Sequence, residues 1–570
     1  MSRLLVKTTV TGLIIFGFAA LSGYASAVGT WGKATPVDFS AGVQVDPPNA
    51  DLTDVSCPTD GNCTAVGQFQ NSSNLNIAFA VTSTTSNGWG QAVEILFDDI
   101  QSVNANAQLN AVSCSSPGNC TAVGRFFNSS NHWEAFTVTS TASGGWAQAR
   151  PVEFLPGSQY AEPQDTLEDV SCTSPGNCTA VGQFRNVSGD YEAFTITSTA
   201  AGGWELATPV LFGSNVQSDN PQTWLQSVSC SSDGMCTAVG TYTTYLTGYY
   251  QPFSVTSSTA GVWDQAIPVQ FNALTQSASS QYAKLQDVSC ASAGTCTAVG
   301  VFYNYSDQYQ GFSVESTLAS GWSNALPVAF DIGAQSLFPY SAFESVSCSS
   351  ASDCTAVGSF KNPGNDYAGF AVTKSGSGWA NGVEMEFDAG VQNTDTDSVL
   401  VSVSCVAVDT CTAVGQFYNA DTYYEAFMAS STAGGGWAEV DPAEFDSGVQ
   451  NTNEDAQFNA VSCSSAGHCA AVGNFYDSND GYQAFIMTQP RSTTSTTTTS
   501  TSTTTTSSST TTSSSTTTTQ TTNPRVTTTT VSEVLPPTGS GRTSNWAALG
   551  MTALSAGIIL VLRRRMMHQS

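Results

Sequence analysis

The sequence predicts an all-β chain folded as a single eight-bladed β-propeller of four-stranded blades, and three observations predict it. A cysteine pair spaced Cys-x5-Cys recurs eight times, at Cys57/Cys63, Cys114/Cys120, Cys172/Cys178, Cys230/Cys236, Cys290/Cys296, Cys348/Cys354, Cys405/Cys411 and Cys463/Cys469, every 57 to 60 residues, and uses all sixteen cysteines. A tryptophan ahead of a strand-like run of the Pro-Val-x-Phe type also recurs eight times, at Trp31, Trp89, Trp146, Trp204, Trp263, Trp322, Trp379 and Trp437. Between these markers lie short alternating apolar runs, separated by Gly, Ser and Asn clusters and without a sustained helical period, as strands joined by turns require. A four-stranded unit repeated at such a period is the signature of a propeller.

Repeat three shows the elements in order: strands over 167–172, 178–184, 191–197 and 204–212. The tryptophan series is offset from the cysteine series, because Trp31 precedes any cysteine and no tryptophan of the series follows the last pair. The eighth copy therefore supplies three strands and lacks its fourth. Thr35-Pro36-Val37-Asp38-Phe39 matches the missing strand, so the N-terminal strand is expected to close the last blade and remove two open sheet edges. An open solenoid would instead want polar capping repeats, and two smaller propellers would need a linker that the sequence does not show. With the first strand innermost, the disulfide hairpins and Gly-Trp turns share one face. The second-to-third turns and the inter-blade connections share the other.

Each cysteine is expected to pair with its near neighbour across a hairpin, since the intervening residues, such as Ser-Ser-Pro-Gly-Asn after Cys114, are turn formers. Zinc is disfavoured by the spacing and by the presence of just two histidines in the repeats, His132 and His468. Each small bridge contributes roughly 2 kcal/mol by loop entropy.

The chain ends read differently from the repeats. Residues 1–27 run Arg3 and Lys7, an apolar stretch, then Ala25-Ser26-Ala27, the order of a secretory signal peptide. The propeller is assigned to 28–490. Residues 491–534 are a Thr/Ser-rich disordered stalk with almost nothing apolar to offset chain entropy. Leu535-Pro536-Pro537-Thr538-Gly539 follows, then an apolar transmembrane segment at 546–562 and a basic cytoplasmic tail at 563–570.

In that order the last three parts resemble the LPXTG sorting signal of sortase-anchored surface proteins of Gram-positive bacteria. The resemblance implies that a sortase cysteine attacks the Thr538 carbonyl, releases Gly539 onward and passes the acyl group to a cell-wall precursor amine. It implies a cell-wall address, with membrane contact confined to the C-terminal segment before processing. The turn before each tryptophan, for instance Ser140-Thr141-Ala142-Ser143-Gly144-Gly145-Trp146, loosely resembles the Asp-box of sialidase-like blades, with Ala142 and Ala200 where the aspartate would stand. That likeness implies blade architecture. Sialidases need an arginine triad, and Arg125, Arg150 and Arg185 fall in neighbouring blades, so no catalytic residue is carried over.

Composition narrows the partners. Residues 28–490 hold seven cationic side chains against 43 acidic ones, a formal charge of −36. That excludes nucleic acid, whose binding depends on neutralising phosphates, and docking on anionic lipid.

Three constellations remain. An aromatic stands three residues before the third-strand aromatic in seven copies: Trp133, Tyr191, Tyr250, Tyr309, Tyr367, Tyr424 and Tyr482. Such rings either stack on sugar rings or pack between blades, and their regular recurrence favours packing. Phe69, Phe126, Phe184, Tyr242, Phe302, Phe360, Phe417 and Phe475, after each Ala-Val-Gly, read as blade core. Two inter-blade loops place oxygen donors alternately, Asn393, Asp395, Asp397 and Asn451, Asn453, Asp455, which could wrap a calcium ion or be solvated acidic loops. No other cofactor is indicated, and no nucleophile with its base or matched carboxylate pair stands out for catalysis. The expected work is therefore extracellular binding or adhesion to a glycan or protein ligand. The alternatives are a glycan hydrolase or lyase and a passive structural coat.

Overall fold

The computed structural model describes residues 31–489 apart from 99–100, 102–105, 219, 246, 260, 273–274, 278–280, 318–320, 337–339, 377, 389, 394–396, 433–435, 438–439 and 452–454. The signal segment, stalk, sorting motif, membrane segment and tail, with Asp395 and Asn453, lie outside the described residues. Eight antiparallel sheets form a propeller, and no helix occurs among the described residues. In blade three the inner strand is Thr166–Ser174, the second Asn177–Arg185 and the third Tyr191–Thr199. All eight near-neighbour pairs are disulfides across the hairpin between inner and second strands: Cys57–Cys63, Cys114–Cys120, Cys172–Cys178, Cys230–Cys236, Cys290–Cys296, Cys348–Cys354, Cys405–Cys411 and Cys463–Cys469. The hairpin turn is tight. In blade three it is Pro175-Gly176, and Gly176 takes the left-handed φ of 80° that a side chain would resist.

The ring closes through the N-terminus. Thr35 pairs with Ile486 and Pro36 with Phe485, and the Val37 amide donates to Ala484 O at 2.9 Å.

The outer strand differs from the continuous 204–212 segment expected. It is two short pieces, Gly203–Trp204 and Thr208–Pro209, both laid on the third strand. Between them the Ala207 amide turns away from its own sheet and donates to Glu153 O of the preceding blade at 2.8 Å. Pro209 has no N–H with which to extend the ladder. The same bond recurs around the rim, from Ala149 to Leu96 O, Ala266 to Leu211 O and Ala325 to Gln270 O, and it passes through the closure as Ala34 to Glu444 O at 2.7 Å and Ala92 to Asp38 O at 2.8 Å.

Aromatic packing joins the same neighbours. The outer-strand phenylalanine of each blade sits against two aromatics of the next, as Phe154 does on Phe184 and Phe194 with centroids 4.8 and 5.1 Å away. Phe39 does so on Phe69 and Phe79 across the closure. Phe184, Phe194 and Phe79 are all but inaccessible to solvent, and burying each such ring is worth roughly 1.5–3 kcal/mol. The phenylalanines read as blade core are thus the core between blades as well.

Nearer the axis every inner strand carries a β-bulge. In blade three the register skips from Leu167 to Asp169, leaving Glu168 as the extra residue. The bulge pushes the inner backbone toward the second strand, where a Cβ on Gly182 would stand 2.0 Å from Thr166 O. The equivalent glycines of all eight Ala-Val-Gly steps meet the same backbone at 1.9 or 2.0 Å, so the glycine is required by the bulge.

Candidate functional site

Both described ends of the propeller lie on the disulfide face. The Gln489 amide donates to Cys469 O at 3.0 Å and the Gly32 amide to Thr488 O at 2.9 Å. The opposite face is built from the second-to-third turns. Each opens on an Asn, Asp or Thr that reaches the inter-blade connection through a single bridge in seven blades, as Asn186 does with Gln159. Asn186 also caps its own turn, its Oδ1 accepting the Ser188 and Asp190 amides at 2.9 and 3.0 Å.

The seven recurring aromatics stand on this second face, each at the start of a third strand and directly opposite the last residue of the second strand. Trp133 faces Phe127, Tyr309 faces Tyr303, Tyr424 faces Tyr418 and Tyr482 faces Tyr476. Tyr191 faces Arg185, Tyr250 faces Thr243 and Tyr367 faces Lys361, whose Nζ lies 5.0 Å over the Tyr367 ring. The arginines do not converge. Arg125 lies over Trp133 at 4.4 Å, Arg185 over Tyr160 at 4.2 Å, and Arg150 is exposed on the outer strand of blade two.

In blades four to six the aromatics do more than pair within a blade. Tyr282 and Tyr340, just ahead of the inner strands of blades five and six, wedge between successive third-strand tyrosines. The result is a continuous edge-to-face ladder, Tyr250–Tyr282–Tyr309–Tyr340–Tyr367, with centroids 6.3, 5.8, 5.6 and 5.1 Å apart. Trp224 extends it at 5.4 Å from Tyr250. This is inter-blade packing, and the sequence alone did not single out Trp224, Tyr282 or Tyr340.

The bulge residues form one ring of equivalent positions, one on each inner strand. They are Thr53, Asn110, Glu168, Gln226, Gln286, Glu344, Val401 and Asn459, a position that varies from blade to blade while the Val-Ser-Cys that follows it does not. That divergence, opposite an unvarying glycine, was the signal available in the sequence. Thr53, Asn110 and Asn459 each bond a backbone carbonyl of the next blade, at 2.8, 2.7 and 2.6 Å. Gln286 Nε2 donates to Glu344 Oε2 at 3.4 Å. Burial raises the Glu344 carboxyl above its ordinary range and Lys284 opposes that rise; burial likewise pulls the Lys284 ammonium down, and Glu344 opposes it. Burial and then Glu344 push the Tyr340 hydroxyl up. At the junction of blades eight and one, Asn459 and Asn474, both buried, donate to Asp51 Oδ1 at 2.7 and 2.8 Å.

Between the inner strands is a cavity of about 40 Å³ lined by Asp54, Asp169, Asp287 and the Val-Ser steps of those strands. That is room for a few waters and far too little for a sugar ring. The three aspartates stitch blades together. Asp169 accepts the Val170 and Val228 amides, both at 2.8 Å, and Asp287 accepts those of Val288 and Val346 at 2.8 and 2.9 Å.

The cysteines singled out by the repeat are disulfide staples within the blades. A second cavity of about 20 Å³ touches Cys178, Cys230 and Cys236 and has room for about one water. Cys63, Cys120, Cys296, Cys354 and Cys411 line neither cavity. These second-strand cysteines are buried because each lies inside its blade or at the junction with a neighbour. The Cys63 amide donates to Ser83 Oγ of its own blade at 2.9 Å. The sulfurs of Cys120, Cys296, Cys354 and Cys411 stand 3.4, 3.3, 3.5 and 3.3 Å from the hydroxyls of Thr64, Thr237, Thr297 and Thr355 on the preceding blade.

The oxygen-rich inter-blade loops also serve the fold. Asp397 and Asp455 turn back to accept the Tyr367 and Tyr424 amides at 3.1 and 3.2 Å, and Asn451 donates to Asp480 at 2.7 Å. Among the described residues no group of three or more His, Cys, Asp or Glu side chains is arranged to hold a metal ion.

No protein-family model matches the chain. No curated protein matches it. Among solved structures it is similar to a protein of unknown function from Dyadobacter fermentans, at 11% identity over 60% of this chain and 97% of that one with a TM-score of 0.32. AofleA from Arthrobotrys oligospora is similar at 9% identity over 71% and 89%, TM-score 0.29. Trypanosoma rangeli sialidase in complex with sialic acid is similar at 9% identity over 81% and 91%, TM-score 0.31. None of the residue roles above is taken from them.

Proposed function

We propose that this chain is an exported, wall-anchored surface protein whose propeller binds an extracellular glycan or protein ligand on the face opposite its disulfides. The observation that carries the reading is the position of the ends: the described chain finishes at Gln489, bonded beside Cys469 on the disulfide face. A stalk continuing from there to Thr538 leaves the aromatic face pointing away from the wall. The axial cavity favours surface recognition over a buried reaction centre, since about 40 Å³ admits no sugar residue.

The test has two arms. Cells carrying Thr538→Ala retain the protein in the membrane fraction, whereas the unaltered chain is covalently wall-bound. Displayed wild-type chain captures a soluble glycan or protein from a defined panel, with and without chelator, and capture is lost when an antibody occupies the aromatic face. Equal wall linkage of both chains would overturn the anchoring, and capture indifferent to the antibody would overturn the choice of face.

A second reading is favoured by the bulge carboxyls Glu168 and Glu344, which act on Arg125 and Lys284: an extracellular glycan hydrolase. Release of reducing ends from a polysaccharide, abolished in Glu344→Gln, would establish it.

A further inference from the structure

The propeller repeats eightfold, yet its aromatic face does not. Ten of the eighteen tyrosines fall between Tyr242 and Tyr367, so the rings concentrate in blades four to six, whereas the junction of blades eight and one is held by Asp51, Asn459 and Asn474. Inter-blade packing accounts for the ladder from Tyr250 to Tyr367. It does not account for Tyr245 and Tyr305, which stand 43% and 68% exposed on the turns leading into that ladder.

We propose that the tyrosine arc of blades four to six, with Glu344, Lys284 and Gln286 at its foot, binds a neutral oligosaccharide. The proposal rests on the binding reading above and names its site and ligand class. The ladder is held by edge-to-face contacts, so its rings are already fixed and a ligand stacking beside them orders little. The exposed rings on the turns offer the flat apolar faces that the C–H side of a sugar needs, and the polar foot offers acceptors and donors for its hydroxyls.

Charge selects the class. Gln286 Nε2 donates to Glu344 Oε2 at 3.4 Å, and Lys284 and Glu344 each oppose the effect of burial on the other, so the foot of the arc holds one acidic and one basic group and no excess charge. A charged ligand would leave one member of that pair without its counter-charge in a desolvated site, which is strongly unfavourable. Polyanionic glycans are further opposed by the seven cations against 43 acidic residues of the propeller.

The experiment uses the full-length chain. Saturation-transfer NMR and calorimetry are run with neutral gluco-, manno-, xylo- and N-acetylglucosamine oligomers, with polygalacturonate as acidic probe and an oligo-arginine peptide as basic probe. One neutral series is expected to bind. Tyr305→Ala, on an exposed ring that packing does not need, and the isosteric Glu344→Gln each weaken it about tenfold, and Val187→Ala on the turn of blade three leaves it within about twofold. Neutral-sugar binding insensitive to both variants overturns this site while leaving the binding reading standing. Binding of the acidic or basic probe alone overturns the ligand class. No binding by any probe overturns the site and its ligand class, while the binding reading is then decided by the protein arm of the capture panel.

Discussion

Ser462 Oγ accepts the Cys57 amide at 3.0 Å, joining residues 405 apart in the chain. It is the closing member of a complete circle. The serine immediately before each inner-strand cysteine bears a hydroxyl that accepts the cysteine amide of the next blade, from Ser56 with Cys114 round to Ser404 with Cys463, always at 3.0 or 3.1 Å. Eight identical bonds can close a circle only if the blade count is right. The Ser-Cys dipeptide of the repeat is therefore half disulfide and half ring fastener.

Ser462→Ala leaves the fully buried Cys57 amide without its partner at the one junction where the strand bearing the serine reaches the next blade only through the non-covalent pairing of Thr35–Pro36 with the third strand of blade eight. A loss of about 1–3 kcal/mol is expected, seen as a lower thermal midpoint. Ser113→Ala, in a blade whose four strands run unbroken into the next, should cost a similar bond but lower the midpoint less, because blades two and three stay tethered by continuous chain.

Gly182→Ala drives a methyl to 2.0 Å from Thr166 O and should lower stability by several kcal/mol or prevent folding. Gly248→Ala is the contrast: φ is 65° and nothing lies within 4 Å, so the cost is the backbone conformation alone, about 1–2 kcal/mol. Denaturant midpoints of the two variants separate the bulge requirement from glycine flexibility in general.

Asp165 is 1% exposed, and burial pushes its carboxyl from 3.8 up to about 7 against the bonds it accepts from Arg185 N and Gln159. The neutral form is the one the fold prefers. Its contribution is complete below about pH 4 and is lost as pH rises through about 7, a change on the order of 4 kcal/mol at most. Asp165→Asn should flatten the pH dependence of unfolding over that window and stabilise the protein at pH 8; an unchanged profile would contradict the assignment.

Lys374 is 5% exposed and pairs with the more open Glu315 at 2.9 Å, with Trp379 Nε1 donating to the same carboxylate at 3.1 Å. Removing the two partners should not be equivalent. Glu315→Gln strands a buried ammonium, leaving it the Ala351 carbonyl at 3.1 Å, and should cost about 3–5 kcal/mol. Lys374→Met leaves a carboxylate that reaches water and should cost less, and chemical denaturation of the pair measures the asymmetry.

The blade count, the strand order, the near-neighbour disulfides and the circular closure were all legible in the sequence, because each is written eight times in local patterns and short spacings. The split outer strand was not. Ala207 bonds Glu153 of another blade, and a period-two pattern carries no information about a strand that changes partners. The recurring aromatics were visible, but not the difference between Tyr482, 41% exposed, and Tyr309, locked between Tyr282 and Tyr340. Nor could the spacing of Cys120 or Cys411 tell that its sulfur rests against a threonine of the neighbouring blade.

The sequence by itself determined the ring, since alternation, turn residues and cysteine spacing act within a few residues and repetition then leaves closure as the way to cover the sheet edges. The tertiary structure alone decided where the ring is asymmetric. Glu344 meets Lys284 and Gln286, and Tyr282 meets Tyr250 and Tyr309, because bulges and blade junctions bring together side chains about 30 to 60 positions apart. Contacts at that separation depend on how rigid blades stack around an axis, which is a property of packing and not of any one repeat.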